Sequence, residues 1–359
     1  MKVIKLIKKN FPEFVETLKK EGEIWGPVKK NDKYVFNKID NVSNLNLSAP
    51  QTILPPKKFF HPPNFNMFKF TSHGYFEKFS DIKTRIILGI HPCDIHGILI
   101  LDKLFTHEYP DPYYLIRRDK TIIIGHSCIP DDKCFCQSTR THVVEEGFDL
   151  FLTDLDDYYL VWIGSSKGDD LIRLKPEIFE EKIQQKDIEK FIKWKNWRDS
   201  QFKLQIDFTA LPDIMELKYY DHLWEDIASS CLACGSCTMV CPTCNCYNVS
   251  DYFYIGKEEG QRSRFWDSCM FKEYSEVAGG HNFREKKADR LKLWYTHKLQ
   301  AYISAYGKYS CVGCGRCIDT CPVDINVKTV AQALRGEPVE AFWKRRVLKE
   351  STIKNDKMD

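Results

Sequence analysis

The sequence lacks the glycine-rich motifs with which many oxidoreductases bind nucleotides. Neither GxGxxG nor GxxxxGK[ST] occurs in its 359 residues, so the chain shows no fingerprint of its own for a dinucleotide or a nucleoside triphosphate. No apolar run approaches the roughly 18 to 20 residues that span a bilayer. The first residues, MKVIKLIKKNFPEF, alternate lysine with apolar side chains and do not form the apolar core of a signal peptide. We therefore expect a cytoplasmic protein.

The sequence also has little excess charge. The formal net charge is only +3, so no overall field favours binding to nucleic acid or to an anionic membrane. The chain is 43% hydrophobic and 29% charged, which is ordinary for a globular protein, and its length allows two or three domains. We expect neither nucleic acid nor a membrane as a partner.

Cysteine, in contrast, is abundant. The chain has fifteen cysteines, an odd number that in a reducing compartment indicates metal ligands rather than disulfides. Two runs repeat the pattern Cys-x2-Cys-x2-Cys-x3-Cys-Pro, which is typical of bacterial-type ferredoxins with two [4Fe–4S] clusters. Their cysteines are Cys231, Cys234, Cys237 and Cys241, then Cys311, Cys314, Cys317 and Cys321. Zinc sites usually use two separated cysteine pairs, and disulfides between such close cysteines would be strained.

The fourth cysteine of each run is expected to bind the cluster of the other run, as in two-cluster ferredoxins. One predicted ligand set is Cys231, Cys234, Cys237 and Cys321. The other is Cys311, Cys314, Cys317 and Cys241. Because 69 residues separate Cys241 from Cys311, it stays open whether the two fourth cysteines cross or each serve their own run.

Four more cysteines follow two predicted strands, at residues 84–90 and 121–125, both rich in β-branched residues. They are Cys93, Cys128, Cys134 and Cys136. Ligands gather at the carboxyl ends of parallel strands, so we predict one site of four thiolates. From spacing alone, a [4Fe–4S] cluster, a zinc ion and unpaired buried thiols all stay open.

Two polar residues flank the first of these cysteines. His91 and Asp94 could tune a bound metal from outside its ligand set. Alternatively, His91 is an ordinary turn residue and Asp94 caps the helix that follows.

The predicted fold class is α+β, with three regions. Residues 1–210 form an N-terminal α/β domain with the four-cysteine site. Residues 211–340 form a dicluster ferredoxin-like domain, interrupted by a helical insert at 247–310. Residues 341–359 form a basic C-terminal tail, for which fraying is the default expectation.

The insert carries three features of uncertain role. A long helix is predicted from about Phe283 to Tyr306, with an outer basic face that could steer an acidic partner. Its basic residues are Arg284, Lys286, Lys287, Arg290 and Lys292. The remaining cysteines are Cys244, Cys246 and Cys269, which are either structural thiols or ligands of a further cluster with His281 as a fourth ligand.

The sequence resembles the β subunits of the sulfhydrogenases, the soluble NiFe hydrogenases that couple to NAD(P), and is similar to one of the subunits of anaerobic sulfite reductase. The resemblance covers nearly the whole chain up to Val323. It rests on ILPPKKFF, CDIHGILILD, DPYYLIRRDK, IIIGHSCIPDDKCFC, GFDLF, both ferredoxin runs, WDSC and VAGGHNFR.

This resemblance implies an electron-transfer subunit without substrate chemistry of its own. One partner would bind FAD and NAD(P) and carry a [2Fe–2S] centre, and further clusters would lead to a hydrogenase or sirohaem sulfite reductase catalytic subunit. The resemblance also implies a third [4Fe–4S] cluster at the N-terminal cysteines. It leaves open the terminal substrate (hydrogen, sulfite or polysulfide), the choice of NAD or NADP, and the stoichiometry.

Two other functions compete with this one. A self-sufficient iron–sulfur oxidoreductase would have a substrate pocket beside the N-terminal site. A zinc-stabilised module would use the basic helix on nucleic acid.

Overall fold

The structure is a computed structural model that describes residues 2–77 and 82–340. The predicted basic tail at 341–359 lies outside the described residues. Within the described part, no helix is both long and apolar enough to cross a bilayer.

The strands of the described residues form two sheets. In chain order they are β1 Lys2–Ile7, β2 Glu23–Lys30, β3 Lys33–Lys38, β4 Asn64–Thr71, β5 Gly74–Glu77, β6 Arg85–Ile90, β7 Thr121–His126, β8 Leu150–Asp154, β9 Tyr158–Ile163, β10 Phe179–Glu180, β11 Tyr247–Phe253 and β12 Glu259–Trp266. The first sheet has the order β10-β1-β9-β8-β7-β6-β2-β3, and the second has the order β11-β12-β4-β5.

The helices pack on the first sheet or form the C-terminal part. They are α1 Phe11–Leu18, α2 Lys57–Phe60, α3 Pro92–Thr106, α4 Pro112–Asp119, α5 Ser166–Arg173, α6 Gln185–Ser200, α7 Leu211–Leu217, α8 Leu223–Ser230, α9 Ser236–Met239, α10 Lys287–Thr296, α11 Tyr302–Tyr306, α12 Arg316–Thr320 and α13 Val327–Leu334.

The centre of the large sheet is parallel and buried on both faces. Strands β2, β6, β7 and β8 pair in parallel, and β6 is apolar throughout, as such strands require. Ile86 and Leu88 pack into the core on one face, whereas Ile87 and Ile90 pack into the core on the other. The mixed α/β character predicted for the first part of the chain is confirmed.

The four-stranded antiparallel sheet joins distant parts of the sequence. Strand β12 pairs with β4, for example through Gln261 and Lys69. The insert predicted to be helical at 247–310 therefore begins with two strands, which is a correction. Every residue of β11 is exposed, so this strand lacks the apolar alternation from which strands are recognised. Because β4 precedes residue 210, strands from both sides of the predicted domain boundary share this sheet.

The second half of the insert is helical. Helix α10 begins at Lys287, four residues later than expected, and continues into α11 through a π-helical turn at His297–Ala301. Its buried face includes the predicted residues Leu291, Tyr295 and Leu299.

Arg290 does not lie on the outer basic face. Its side chain is buried and donates to the carbonyls of Met270, Arg284 and Glu285. Because these carbonyls belong to the turns before α10, Arg290 stabilises the fold of the insert and is not available to a partner.

Candidate functional site

The two ferredoxin-like runs adopt the same backbone conformation. In the first run Ala233 and Gly235 have φ angles of 53° and 74°, and in the second run Gly313 and Gly315 have φ angles of 63° and 80°. This left-handed region is open to glycine and costs other residues free energy. A short helix, α9 or α12, follows each loop. The repeated motif is therefore also a repeated structure.

The fourth cysteine of each run lies beside the other run. One cavity is lined by the four thiols predicted for the first cluster, Cys231, Cys234, Cys237 and Cys321. Cys311 and Cys317 interact electrostatically with their own run's Cys314 and with Cys241 of the first run. Cys317 also borders the cavity of the first set, so the two sets are neighbours. This placement supports crossed ligation, which stays a prediction.

The buried thiols of the second set need a cation to ionise. Burial raises the pKa of Cys311 and of Cys314 to about 12, so a thiolate at these positions requires a positive ligand such as cluster iron. In the first set, backbone amides point at sulfur. The amide of Ala233 donates to Cys231 Sγ at 3.4 Å, and the amide of Ile325 donates to Cys321 Sγ at 3.3 Å. Such hydrogen bonds help to set the reduction potential of a cluster.

The four N-terminal cysteines come together from three segments. Cys93 lies in the first turn of α3, Cys128 follows β7, and Cys134 and Cys136 lie in the next loop. Cys93 and Cys136 form a thiol hydrogen bond. Cys128 and Cys134 both interact electrostatically with Cys93. The two strand ends thus deliver four thiols to one place, while their binding of metal stays a prediction.

None of these thiol groups closes around a single ion position. Within residues 2–77 and 82–340, no three His, Cys, Asp or Glu side chains converge in the way that one metal ion requires. The thiols nevertheless interact within each set. Cubane ligands bind different iron atoms, so they are spaced more widely than the ligands of one zinc ion.

The N-terminal site packs directly against the second ferredoxin-like run. The amide of Phe135 donates to the Gly313 carbonyl at 2.8 Å. The Cys134 thiol contacts the Cys314 carbonyl at 3.7 Å, although the two residues are 180 positions apart in sequence. The third site and the second predicted cluster site are therefore adjacent, which no local sequence pattern could show.

Gly313 sits at the closest point of this contact. A Cβ atom added there would lie 2.6 Å from both N and Cα of Cys136. Gly307 is a matched control, because its φ of +73° is similar but nothing lies within 4 Å of its added Cβ. We expect Gly313→Ala to destabilise the protein by about 1 to 3 kcal/mol more than Gly307→Ala, since both share the strain and only one clashes.

The measurement is the urea midpoint of the anaerobically purified protein, together with its iron content. Equal midpoints for the two alanine variants would show that the loops separate without cost and that the close contact is unimportant.

A buried ion pair links the same two regions. Arg316, which follows Cys314 by two residues, binds both carboxylate oxygens of Asp94 at 2.5 and 2.8 Å. It also donates to the Thr52 carbonyl at 2.8 Å. Both charged side chains are only 3% exposed. The pair therefore connects the first turn of α3, with Cys93, to the loop that carries Cys314.

The predicted role of Asp94 as a helix cap is therefore wrong. Helix α3 begins after His91, whose side chain makes no capping hydrogen bond, and the carboxylate of Asp94 is used by Arg316. Burial lowers the pKa of His91 to about 4, so this histidine is neutral at physiological pH.

The three remaining cysteines form a separate group. Cys244 and Cys269 are buried and Cys246 is half-buried, and all three interact electrostatically. The hypothesis that His281 completes this group finds no support, because His281 is exposed and its ring packs against Phe283.

Comparison with known proteins agrees with this arrangement. The family described as "4Fe-4S dicluster domain" matches residues 230–325. The chain is 41% identical over 337 residues to sulfhydrogenase 2 subunit beta of Pyrococcus furiosus, an alignment that covers 94% of this chain and 99% of that one. The chain therefore belongs to the sulfhydrogenase β-subunit family.

Proposed function

We propose that this chain is the electron-relay subunit of a multisubunit oxidoreductase. It would pass single electrons between a partner that binds FAD and NAD(P), with a [2Fe–2S] centre, and a NiFe hydrogenase catalytic module. The observation that carries the proposal is the contact between the N-terminal cysteines and the second ferredoxin-like run, made by Phe135 and Gly313. It supports a continuous row of three cluster sites within one chain.

The twelve cysteines of the three sets would each supply a thiolate. A cubane held by four thiolates accepts and releases one electron at a time. The chain's own residues then keep the sites close, shield them from water and place charge and amides beside the sulfurs. Arg316 serves two of these sites, since it interacts electrostatically with both Cys314 and Cys93.

The proposal predicts the metal content of the third site. We expect Cys134→Ser to lower iron by about four atoms per chain, because serine is a poor substitute for a thiolate ligand. Iron and acid-labile sulfide in the anaerobically purified protein measure this. Asp132→Ser, an exposed position in the same loop, should leave iron unchanged.

Unchanged iron in Cys134→Ser would remove the third cluster from the proposal. Protein rich in zinc, with little iron or sulfide, would instead support a zinc-stabilised module.

The partners decide the rest of the function. Purification of the intact complex should yield a flavoprotein that oxidises or reduces NAD(P) and a nickel-containing large subunit. Recovery of a sirohaem protein in place of the nickel protein would select the alternative, an anaerobic sulfite reductase.

One observation favours a second candidate, a self-sufficient oxidoreductase. A cavity of about 590 Å³ begins at Pro92 and Ser127, the neighbours of Cys93 and Cys128. Aromatic side chains line it: Phe148, Phe151, Trp162, Phe191 and Trp194. Its size suits a small organic ligand. Catalytic turnover by the isolated chain would support this candidate, and its absence would favour the relay.

A further inference from the structure

The three cysteines outside the predicted sites are held together by the second sheet. Cys246 immediately precedes β11 and Cys269 follows β12, and pairing of Tyr247 with Trp266 brings the two strand ends side by side. The thiols of Cys246 and Cys269 hydrogen-bond to each other. Cys244 lies close enough to interact electrostatically with Cys269. The fold thus assembles three thiols that the proposed electron relay does not use.

Two buried lysines lie beside this group. Lys57, on α2, is 3% exposed, and its Nζ donates to the Cys244 carbonyl at 2.8 Å. Lys298, in the π-helical turn, is 4% exposed, and its Nζ donates to the hydroxyls of Thr243 and Ser310 at 2.8 and 3.1 Å. Both ammonium groups thus face the segment that carries Cys244.

Neither lysine forms an ion pair with Asp or Glu in the described part of the chain. Their electrostatic partners are the thiols of Cys241 and Cys244, with Cys246 also acting on Lys57. The two ammonium groups also repel each other. Buried charges are costly unless they are compensated. The site therefore calls for negative charge that the protein's carboxylates do not provide.

We propose that Cys244, Cys246 and Cys269 hold a fourth [4Fe–4S] cluster, whose negative charge Lys57 and Lys298 balance. Thiolates are the ligands that such clusters require, and the complex of cluster and thiolates is anionic. This assigns all fifteen cysteines of the chain. Because no cysteine is left for the fourth iron, that iron takes a different ligand.

A rival explanation uses the same lysines differently. Cys241, which belongs to the second predicted cluster, hydrogen-bonds to Cys244. Lys57 and Lys298 would then compensate that cluster alone, and the three thiols would be structural. The two explanations differ in iron content and in which cluster responds to the lysines.

The first experiment counts iron and sulfide in anaerobically purified full-length protein. We expect about sixteen iron atoms per chain, and a loss of about four in either Cys246→Ser or Cys269→Ser. Ser250→Ala, at an exposed position of β11, is the control and should lose none. About twelve iron atoms, unchanged by either cysteine variant, would overturn the fourth cluster while leaving the electron relay intact. Protein without iron would overturn both.

The second experiment tests the missing fourth thiolate. One-electron oxidation of the cluster by ferricyanide should release one Fe²⁺ and leave a [3Fe–4S]⁺ centre, detected by its EPR signal. Cys269→Ser should lose this signal. Persistence of an equal signal in Cys269→Ser would assign it to another site and contradict the proposal.

The third experiment tests the role of the lysines by EPR redox titration. We expect Lys57→Met to lower the potential of one cluster, because removing a buried positive charge disfavours the more negative reduced state. Lys58→Met is the matched control, since the Nζ of Lys58 donates to the distant Phe36 carbonyl. The affected cluster should be the one that Cys269→Ser removes. A shift confined to a cluster that survives in Cys269→Ser would establish the rival explanation.

Discussion

Replacing Cys314 by serine should remove about four iron atoms per chain and stop electron transfer through the complex. Cys314 is buried, and it interacts electrostatically with Cys241 of its own predicted set and with Cys93 of the N-terminal site. It thus lies between two predicted clusters. Loss of a ligand here should interrupt the row of clusters at its middle, whichever direction the electrons take.

The N-terminal sheet should survive this substitution. Its two cores contain Ile86 and Leu88 on one face and Ile87 and Ile90 on the other, and neither includes Cys314. The measurements are iron and sulfide content, far-ultraviolet circular dichroism, and NAD(P)-linked activity of the reconstituted complex.

Ser304→Ala, at an exposed position ahead of the second run, is the control and should keep full iron and activity. Full activity with unchanged iron in Cys314→Ser would contradict the assignment of this cysteine as a ligand.

Breaking the Asp94–Arg316 pair should be the most destabilising single change outside the cysteines. Both side chains are 3% exposed, and removing one partner leaves the other charge buried and uncompensated. Such changes typically cost about 3 to 5 kcal/mol. We expect this loss for Arg316→Met and for Asp94→Asn, measured as the urea midpoint of the anaerobic protein.

An exposed ion pair provides the control. Lys133 and Asp319 also join the two regions, with side chains 46% and 35% exposed. Solvent screens such a pair, so Lys133→Met should cost less than about 1 kcal/mol.

The double variant Asp94→Asn with Arg316→Met tests whether the two residues act as a unit. We expect it to lose less stability than the sum of the single variants, because neither charge is left unpaired. Additive losses would show that each residue stabilises the protein through other neighbours, such as the Thr52 carbonyl that Arg316 also contacts.

The sequence by itself identified the eight ferredoxin-like cysteines. Their spacing is a local property, since three ligands of each set lie on one loop and short helix. It also indicated the parallel strands β6 and β7, because a strand buried on both faces must be apolar throughout. The N-terminal cysteines were recognised from two strand ends, and a third cluster was inferred from the family resemblance.

Only the tertiary structure brought these parts together. The contact of Phe135 with Gly313 and the pairing of Asp94 with Arg316 join residues far apart in the chain. The pairing of β4 with β12 likewise depends on an exposed hairpin without an apolar pattern. Nothing in a lysine's local sequence shows that it will be buried without a carboxylate, as Lys57 is. Spacing along the chain determines ligands within one loop, whereas their neighbours depend on how the two sheets and the helices pack.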